Sequence, residues 1–349
     1  MEITMTTTNV TVSSASDPID ASRRVRRIVD KLARSRNLNI DAVRQALRDA
    51  IKRANDMRAL GFLHYAGVLD LHLPDGTKVA IIPDWHIPAH DRQVAFMVKQ
   101  WLAELRPDII ILIGDAADMF GFSRWPVPPG VVRNAQMEID ETRRIIDDII
   151  ECSGCQHVFY ILGNHEDRGR RTQIDPNANV ARLLDPTTQE PILNFHQLMG
   201  YKPGDPITFI YGQFEDGGFG GGIVTNDEIK FIHGNKVRPK PGASPYAEAD
   251  ATGKSIGSGH THRFAKRARR NTKNGLLRSY EFGFLGDERH PYLGYAFNTN
   301  WHQGLASGLV HGGLLHIQMI PIKKIRNKVT GQITSLLLAD GKLYQSSGY

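Results

Sequence analysis

His157-Val158-Phe159-Tyr160-Ile161-Leu162 runs straight into Gly163-Asn164-His165-Glu166, and this ten-residue stretch decides the fold. Six mostly apolar residues without alternation have the length and character of a strand buried on both faces. Working outward, the same grammar recurs. Lys78 to Pro83 is a β-rich run that ends in Asp84-Trp85-His86, and Asp108 to Ile113 ends in Gly114-Asp115-Ala116-Ala117-Asp118. Ile229 to His233 ends in His233-Gly234, and Ser255 to Ser258 in Gly259-His260-Thr261-His262. Asp91 to Leu105 and Glu138 to Ile150 lie between these runs with helical periodicity. Strands alternating with helices predict an α/β core. Ligands of open α/β sheets gather outside the carboxyl ends of the strands, so five strand ends deliver Asp, His, Asp, Asn, His and His-x-His to one rim.

Other segments have simpler readings. Residues 66–75 are expected to pair as short strands, with Pro74-Asp75-Gly76 as their turn. Gly217 to Gly222 reads as a mobile glycine-rich loop. From Gly304 onward, short β runs separated by Gly312-Gly313, Thr330-Gly331 and Asp340-Gly341 predict a β meander. Cys152-Ser153-Gly154-Cys155 closes a helix and precedes a strand, the reverse of a redox Cys-x-x-Cys, and no second pair exists for a zinc site. Gly253-Lys254-Ser255 lacks the upstream glycine of a phosphate loop.

The chain has 349 residues and a net charge of +6. Residues 21–60 hold 12 Lys and Arg against 4 Asp and Glu, so this segment is strongly basic and the rest nearly neutral. Such a segment points to an anionic partner, nucleic acid first. Residues 1–20 read as a disordered Thr/Ser-rich leader, residues 21–65 as a basic helical extension, and residues 66–349 as the main domain. Val25, Ile28, Val29 and Leu32, then Val43, Ala46, Leu47 and Ile51, define two helices around Asn37. A helix-turn-helix would offer Arg44, Gln45, Arg48 and Lys52 to DNA. The alternative is a helical hairpin that packs on the body or makes a homo-oligomer. No apolar run is long enough to span a membrane. Two cysteines and a leader without an apolar core place the chain in the cytoplasm by default.

Taken in order, Asp-x-His, Gly-Asp-x-x-Asp, Gly-Asn-His-Glu, His and Gly-His-x-His resemble the calcineurin-like metallophosphoesterase superfamily, over roughly residues 77–320. The resemblance implies a four-layer αββα sandwich of two mixed β-sheets, with a two-metal site on its rim. It also implies a role for each matching position. Asp84, His86 and His262 would bind one ion, Asn164, His233 and His260 the other, and Asp115 would bridge them. His165 would face the substrate phosphate, oriented by Asp118. A hydroxide shared by the ions would attack phosphorus in line. Carboxylate, amide and imidazole donors without thiolates favour Mn²⁺, with Fe, Zn²⁺, Ni²⁺ or Mg²⁺ as alternatives. The clamping arginines of the protein Ser/Thr phosphatases are missing around Asp118-Met119-Phe120 and Ile161-Leu162-Gly163, which disfavours that activity. Arg168, Arg170 and Arg171 follow Glu166 instead, and Arg263, Lys266, Arg267, Arg269, Arg270 and Lys273 follow His262. Both clusters are expected near the site, with Arg168 and Arg263 as substrate-binding candidates. Together with Asn300-Trp301-His302-Gln303-Gly304, the pattern is also similar to phosphoesterases of phages and prophages. The reading is a phosphodiesterase or nuclease acting on nucleic acid or nucleotides. The alternatives are a phosphomonoesterase on a small molecule or phosphoprotein, and a binding module without chemistry.

Overall fold

The computed structural model describes residues 63–123, 130–174, 183–187, 189–212, 220–271, 275–293 and 299–346, all within one compact unit, Arg58–Tyr349. The predicted leader and basic helices lie outside the described residues, as do Lys273 and positions 217–219 of the glycine-rich loop.

Among the described residues, fifteen strands form two mixed sheets. They are β1 His64–Ala66, β2 Val68–Leu71, β3 Lys78–Ile82, β4 Ile109–Ile113, β5 His157–Ile161, β6 Ile207–Tyr211, β7 Gly222–Thr225 and β8 Ile229–Ile232. There follow β9 Ser255–Ser258, β10 Phe264–Asn271, β11 Gly275–Phe282, β12 Gly304–His311, β13 Leu314–Arg326, β14 Ile333–Ala339 and β15 Lys342–Gln345. The larger sheet runs β1-β6-β5-β4-β3-β12-β13-β14-β15, and the smaller β10-β11-β9-β8-β7-β2.

Alternation along the central strands explains the uninterrupted apolar runs. Val79 and Ile81 of β3, Ile111 and Ile113 of β4, and Phe159 and Ile161 of β5 enter a core shared with Leu69, Phe231 and Phe282 of the other sheet. Their neighbours Ala80, Ile82, Ile110, Leu112, Val158 and Tyr160 face the opposite way, into a second core. That core is closed by helices α1 Arg92–Leu105 and α2 Ala135–Ser153, through Val98, Trp101, Ile146 and Ile149. Both faces of each strand are buried, so neither needs a polar row. Asp91 caps α1, accepting from the backbone N–H of Gln93 and Val94. On the other sheet, α5 Ala243–Thr252 packs against β9 and β11; α3 Arg168–Ile174 and α4 Phe195–Met199 precede β6. The result is the predicted αββα sandwich.

Two expectations change. The strands within 66–75 do not pair with each other. β1 adds parallel to β6 in one sheet and β2 parallel to β7 in the other, so the chain crosses between sheets at Gly67 (φ 112°), which only glycine adopts without strain. The turn at Pro74-Asp75-Gly76 leads into β3, and the Asp75 carboxylate accepts from the N–H groups of Gly312 and Gly313. The predicted meander is present but is no separate tail. β12 pairs antiparallel with β3 and extends the large sheet. Cys152 and Cys155 are free thiols at the end of α2.

Candidate metal centre

β3, β4 and β5 run parallel in one sheet, β8 and β9 in the other, and all five deliver their carboxyl ends to one rim. The chain turns sharply there. Asp84 (φ 33°), His86 (54°), Asp115 (49°), His260 (66°) and His262 (56°) all lie in left-handed backbone. Each such residue costs of order 1–3 kcal/mol, which the surrounding fold must offset. Two glycines make the convergence sterically possible. A Cβ on Gly114 would stand 2.6 Å from His233 Nδ1 and 2.8 Å from Gly163 Cα, and one on Gly163 would strike the Asp115 carboxylate.

The donors fall into two groups. In the first, His86 Nε2 and His262 Nε2 are 2.9 Å apart, and His262 Nε2 is 3.6 Å from Asp84 Oδ1. Asp115 completes this group. In the second, His233 Nε2 lies 3.1 Å from Asn164 Oδ1, 3.3 Å from His260 Nδ1 and 3.2 Å from Asp115 Oδ2. Asp115 thus belongs to both. Asp84, His86, Asp115, His233 and His262 are buried.

These residues fit divalent ions. Atoms bound at about 2.0–2.2 Å from one ion stand roughly 3 to 3.6 Å apart, the spacing seen in both groups. Asp84 Oδ2 is buried without a hydrogen-bond partner, a condition expensive to leave uncompensated. Electrostatics agree. Burial raises the Asp84 carboxyl above its ordinary range, and the nearby Asp115 carboxylate adds to this against the pull of His233. His233 is driven up to about 10, because Asp115 and Asp84 outweigh the burial of its ring. The pocket recruits positive charge, and an ion can supply it in place of protons.

His165 stands beside both groups. Its backbone N–H donates to Asp115 Oδ1 at 2.9 Å. Its Nδ1 lies 3.0 Å from the Asp118 carbonyl oxygen and 3.5 Å from the Asp118 carboxylate. That carboxylate is nearer to His86 Nδ1, at 3.1 Å, and accepts from Arg168 at 3.0 Å. Burial would raise Asp118, but His165 and then His86 hold it well below the usual carboxylate range. Arg168 also places Nη2 3.0 Å from His165 Nε2. With Nδ1–H on the carbonyl, Nε2 is the accepting nitrogen in this arrangement.

The basic residues divide. Arg168 adjoins His165, while Arg170 and Arg171 bind Asp167. Arg263 donates to Asn300 Oδ1 at 2.8 Å and to the Arg238 carbonyl at 2.5 Å, joining two loops at the rim. Beyond it the run follows the edge strand β10, where Lys266 lies over the Tyr280 ring and Arg269 pairs with Asp250 of α5. Only the start of that run therefore adjoins the site.

Two contributions were not legible as functional. The Glu166 carboxylate is buried and accepts from the N–H of Gly163 (2.8 Å), Asp115 (3.0 Å) and Ala117 (3.0 Å) and from the Tyr160 hydroxyl (2.5 Å). It ties the turn after β4 to the turn after β5. The signal was its place three residues after Gly163, the spacing of a side chain closing its own turn. Phe284 stacks on His262 (5.1 Å, 13°) and Trp301 meets it edge-on at 4.4 Å. They fix the ring from a part of the chain that carries none of the donors.

Two mixed sheets in an αββα sandwich, with this donor set at the parallel strand ends, define a metallophosphoesterase. The calcineurin-like phosphoesterase family model matches residues 77–264, more than half of the chain, and the chain belongs to that family. Its solved structural neighbours include Vps29 of Cryptosporidium parvum, with 12% identity and a TM-score of 0.36 over 78% of this chain and 96% of that one. Vps29 of Chaetomium thermophilum has 11% identity and a TM-score of 0.39, over 77% and 94%. Vps29 of Entamoeba histolytica, complexed with Zn²⁺, has 11% identity and a TM-score of 0.33, over 77% and 97%. No curated protein sequence matches the chain. Among the described residues, no helix is long and apolar enough to cross a membrane.

Proposed function

We propose that this phosphoesterase holds two divalent ions, Mn²⁺ first among the candidates, and cleaves phosphodiesters in nucleic acid or nucleotides. The observation that carries the reading is the meeting of two donor groups at Asp115, with the His165 imidazole beside them. Asp84, His86 and His262 would hold one ion, and Asn164, His233 and His260 the other. When bound, such a pair supplies Lewis acidity and a nucleophile at neutral pH.

The chain's own residues do the rest. Asp115 sets the spacing of the two groups and, through its second oxygen, holds the main chain of His165. The Asp118 carbonyl keeps the His165 proton on Nδ1, so Nε2 faces outward. Nε2 is then the ring atom presented toward a substrate's leaving oxygen, and the Asp118 carboxylate lies 3.5 Å from the other ring nitrogen. Arg168, already at Nε2, is placed to meet a non-bridging phosphate oxygen.

The diester preference is supported by a cleft of about 170 Å³ next to His260, lined by Asn235, Lys236, Arg238 and Ser244. A monoester has no second substituent to place there. The basic segment 21–60 adds the charge expected of a nucleic-acid partner.

The test is hydrolysis of bis-aryl and mono-aryl phosphates by the purified full-length protein, with Mn²⁺ and each alternative ion, alongside metal content. A preference for the bis-aryl ester with two ions per chain is expected. Preference for the mono-aryl ester would make the chain a phosphomonoesterase. No turnover with any ion would leave a binding module.

A further inference from the structure

At the edge of the large sheet, His64 of β1, Glu190 in the loop before α4 and His196 in α4 bring their side chains together, and none of them belongs to the centre described above. The two carboxylate oxygens of Glu190 serve one imidazole each. Oε2 is 2.6 Å from His196 Nε2 and Oε1 is 3.6 Å from His64 Nε2. The rings stack, with centroids 4.4 Å apart and planes 15° from parallel, which turns both Nε2 atoms toward the same carboxylate. Supporting contacts fix the arrangement from behind. His196 Nδ1 lies 2.8 Å from the Tyr211 hydroxyl, and Gln197 donates to Glu190 Oε2 at 3.1 Å. The far nitrogen of a metal-binding histidine is characteristically held in this way.

We propose that His64, Glu190 and His196 form a further divalent-metal site, with zinc as its preferred ion. Two imidazoles and a carboxylate are a zinc donor set that leaves a fourth position for water. The hard ions Mg²⁺ and Ca²⁺ prefer oxygen ligands and suit the site poorly. The His64 side chain is 40% exposed and that of Glu190 31%, so an ion can enter from solvent, while the buried ring of His196 gives it a rigid anchor. The proton that joins His196 Nε2 to Glu190 in the metal-free arrangement occupies the place of the ion. Turning the His196 proton to Nδ1, facing the Tyr211 oxygen, frees Nε2 for coordination.

Position suggests what the ion does. The three ligands come from β1, the 183–191 loop and α4, so coordination fastens the segment before β6 to the sheet edge. That segment backs α3, since Gly169 faces Leu193 and Leu198. α3 begins with Arg168, which touches His165. The site is therefore a staple behind the wall of the catalytic rim, and it has no chemistry of its own.

Equilibrium dialysis of the full-length protein against Zn²⁺, followed by elemental analysis, tests this. Wild type should bind one zinc more per chain than His64→Ala or Glu190→Gln. Zinc at about 100 times its dissociation constant should also raise the melting temperature of wild type by roughly 5 °C more than that of either variant. Asp84→Asn should lose zinc independently, and the difference between wild type and His64→Ala should survive in its background. The inference is therefore separable from the catalytic centre. If His64→Ala folds poorly, Glu190→Gln, which keeps the side-chain volume, decides. Equal zinc content and equal thermal shifts in wild type and the variants overturn the proposal.

Discussion

Glu166→Gln tests how the rim is held together, because the substitution keeps shape and removes charge. The carboxylate accepts four hydrogen bonds, three from main-chain N–H groups and one from Tyr160. A glutamine can keep its carbonyl toward Asp115 N and Gly163 N. Its amide nitrogen then faces the Ala117 N–H, donor against donor, while the Tyr160 hydroxyl can rotate to accept. Two charge-assisted bonds become neutral, at about 1 kcal/mol each, and the Ala117 N–H, facing the new amide, keeps only its longer bond to the Tyr160 oxygen (3.3 Å), a loss of about 1–3 kcal/mol. The total is about 3–5 kcal/mol, or a fall of roughly 10 °C in melting temperature for a domain of this size. Calorimetry of both proteins in chelator isolates this from ion binding, and metal analysis then measures ion retention. Ion content should also fall, since the turn presenting Asp115 is released. The opposing effect is burial, which with Asp115 pushes the Glu166 carboxyl upward. If burial wins and Glu166 is neutral in the fold, glutamine mimics it. A melting temperature within about 2 °C of wild type would then refute the account.

Three further outcomes are expected. His165→Asn should retain both ions and lose about 10²–10⁴-fold in turnover of the bis-aryl ester; loss of metal or full activity would contradict the role given to His165. Burial holds the rings of His90 and His157 down at about 4, from an ordinary 6.5. The unfolded chain therefore protonates first as pH falls. Stability should be complete above pH 6.5 and decline toward pH 4, by up to about 3 kcal/mol for each ring, and urea midpoints should show a shallower decline for His157→Gln. Deleting residues 1–60, which hold none of the proposed donors, should leave hydrolysis of the aryl diester intact and flatten the salt dependence of DNA or RNA binding. An unchanged salt slope with an altered mass in solution would assign the segment to assembly instead.

What could be read in the sequence, and what could not, follows from the range of the interactions. Strands β3, β4 and β5 are legible because burial on both faces leaves an apolar run, and the turn after each run is local. The helix Arg92–Leu105 is legible because its buried residues, Val94, Val98, Trp101 and Leu102 among them, recur at helical spacing. The pairing expected within residues 66–75 does not form because the partners of β1 and β2, β6 and β7, lie more than 140 residues away, and a short strand does not specify which edge it joins. The basic run after His262 was misplaced for a related reason. Charge density is visible in sequence, but the antiparallel register of β10 on β11, which leads Lys266 to Arg270 away from the rim, is not. Glu166 stands within the Gly-Asn-His-Glu motif, but its role is invisible there, since its partners Asp115 and Ala117 belong to another strand end.

Long-range support and local motif are nevertheless parts of one device. Asp84, His86, Asp115, His260 and His262 could not hold left-handed backbone on their own, for an isolated turn of that kind relaxes. Asp84, His86, Asp115 and His260 are held by contacts from other strand ends, and the His262 carbonyl accepts from the His302 N–H. The His86 N–H donates to the Asp115 carbonyl at 2.8 Å, and the His260 N–H to Asp84 Oδ1 at the same distance. The Asp115 N–H donates to Glu166. The turns therefore brace one another in a ring around the donors before any ion arrives, and the order of the motifs along the chain encodes those turns as much as the donors themselves. A substitution that keeps every donor but relaxes one turn should therefore disturb both donor groups together, and with them the proposed pair of ions, because Asp115 belongs to both groups.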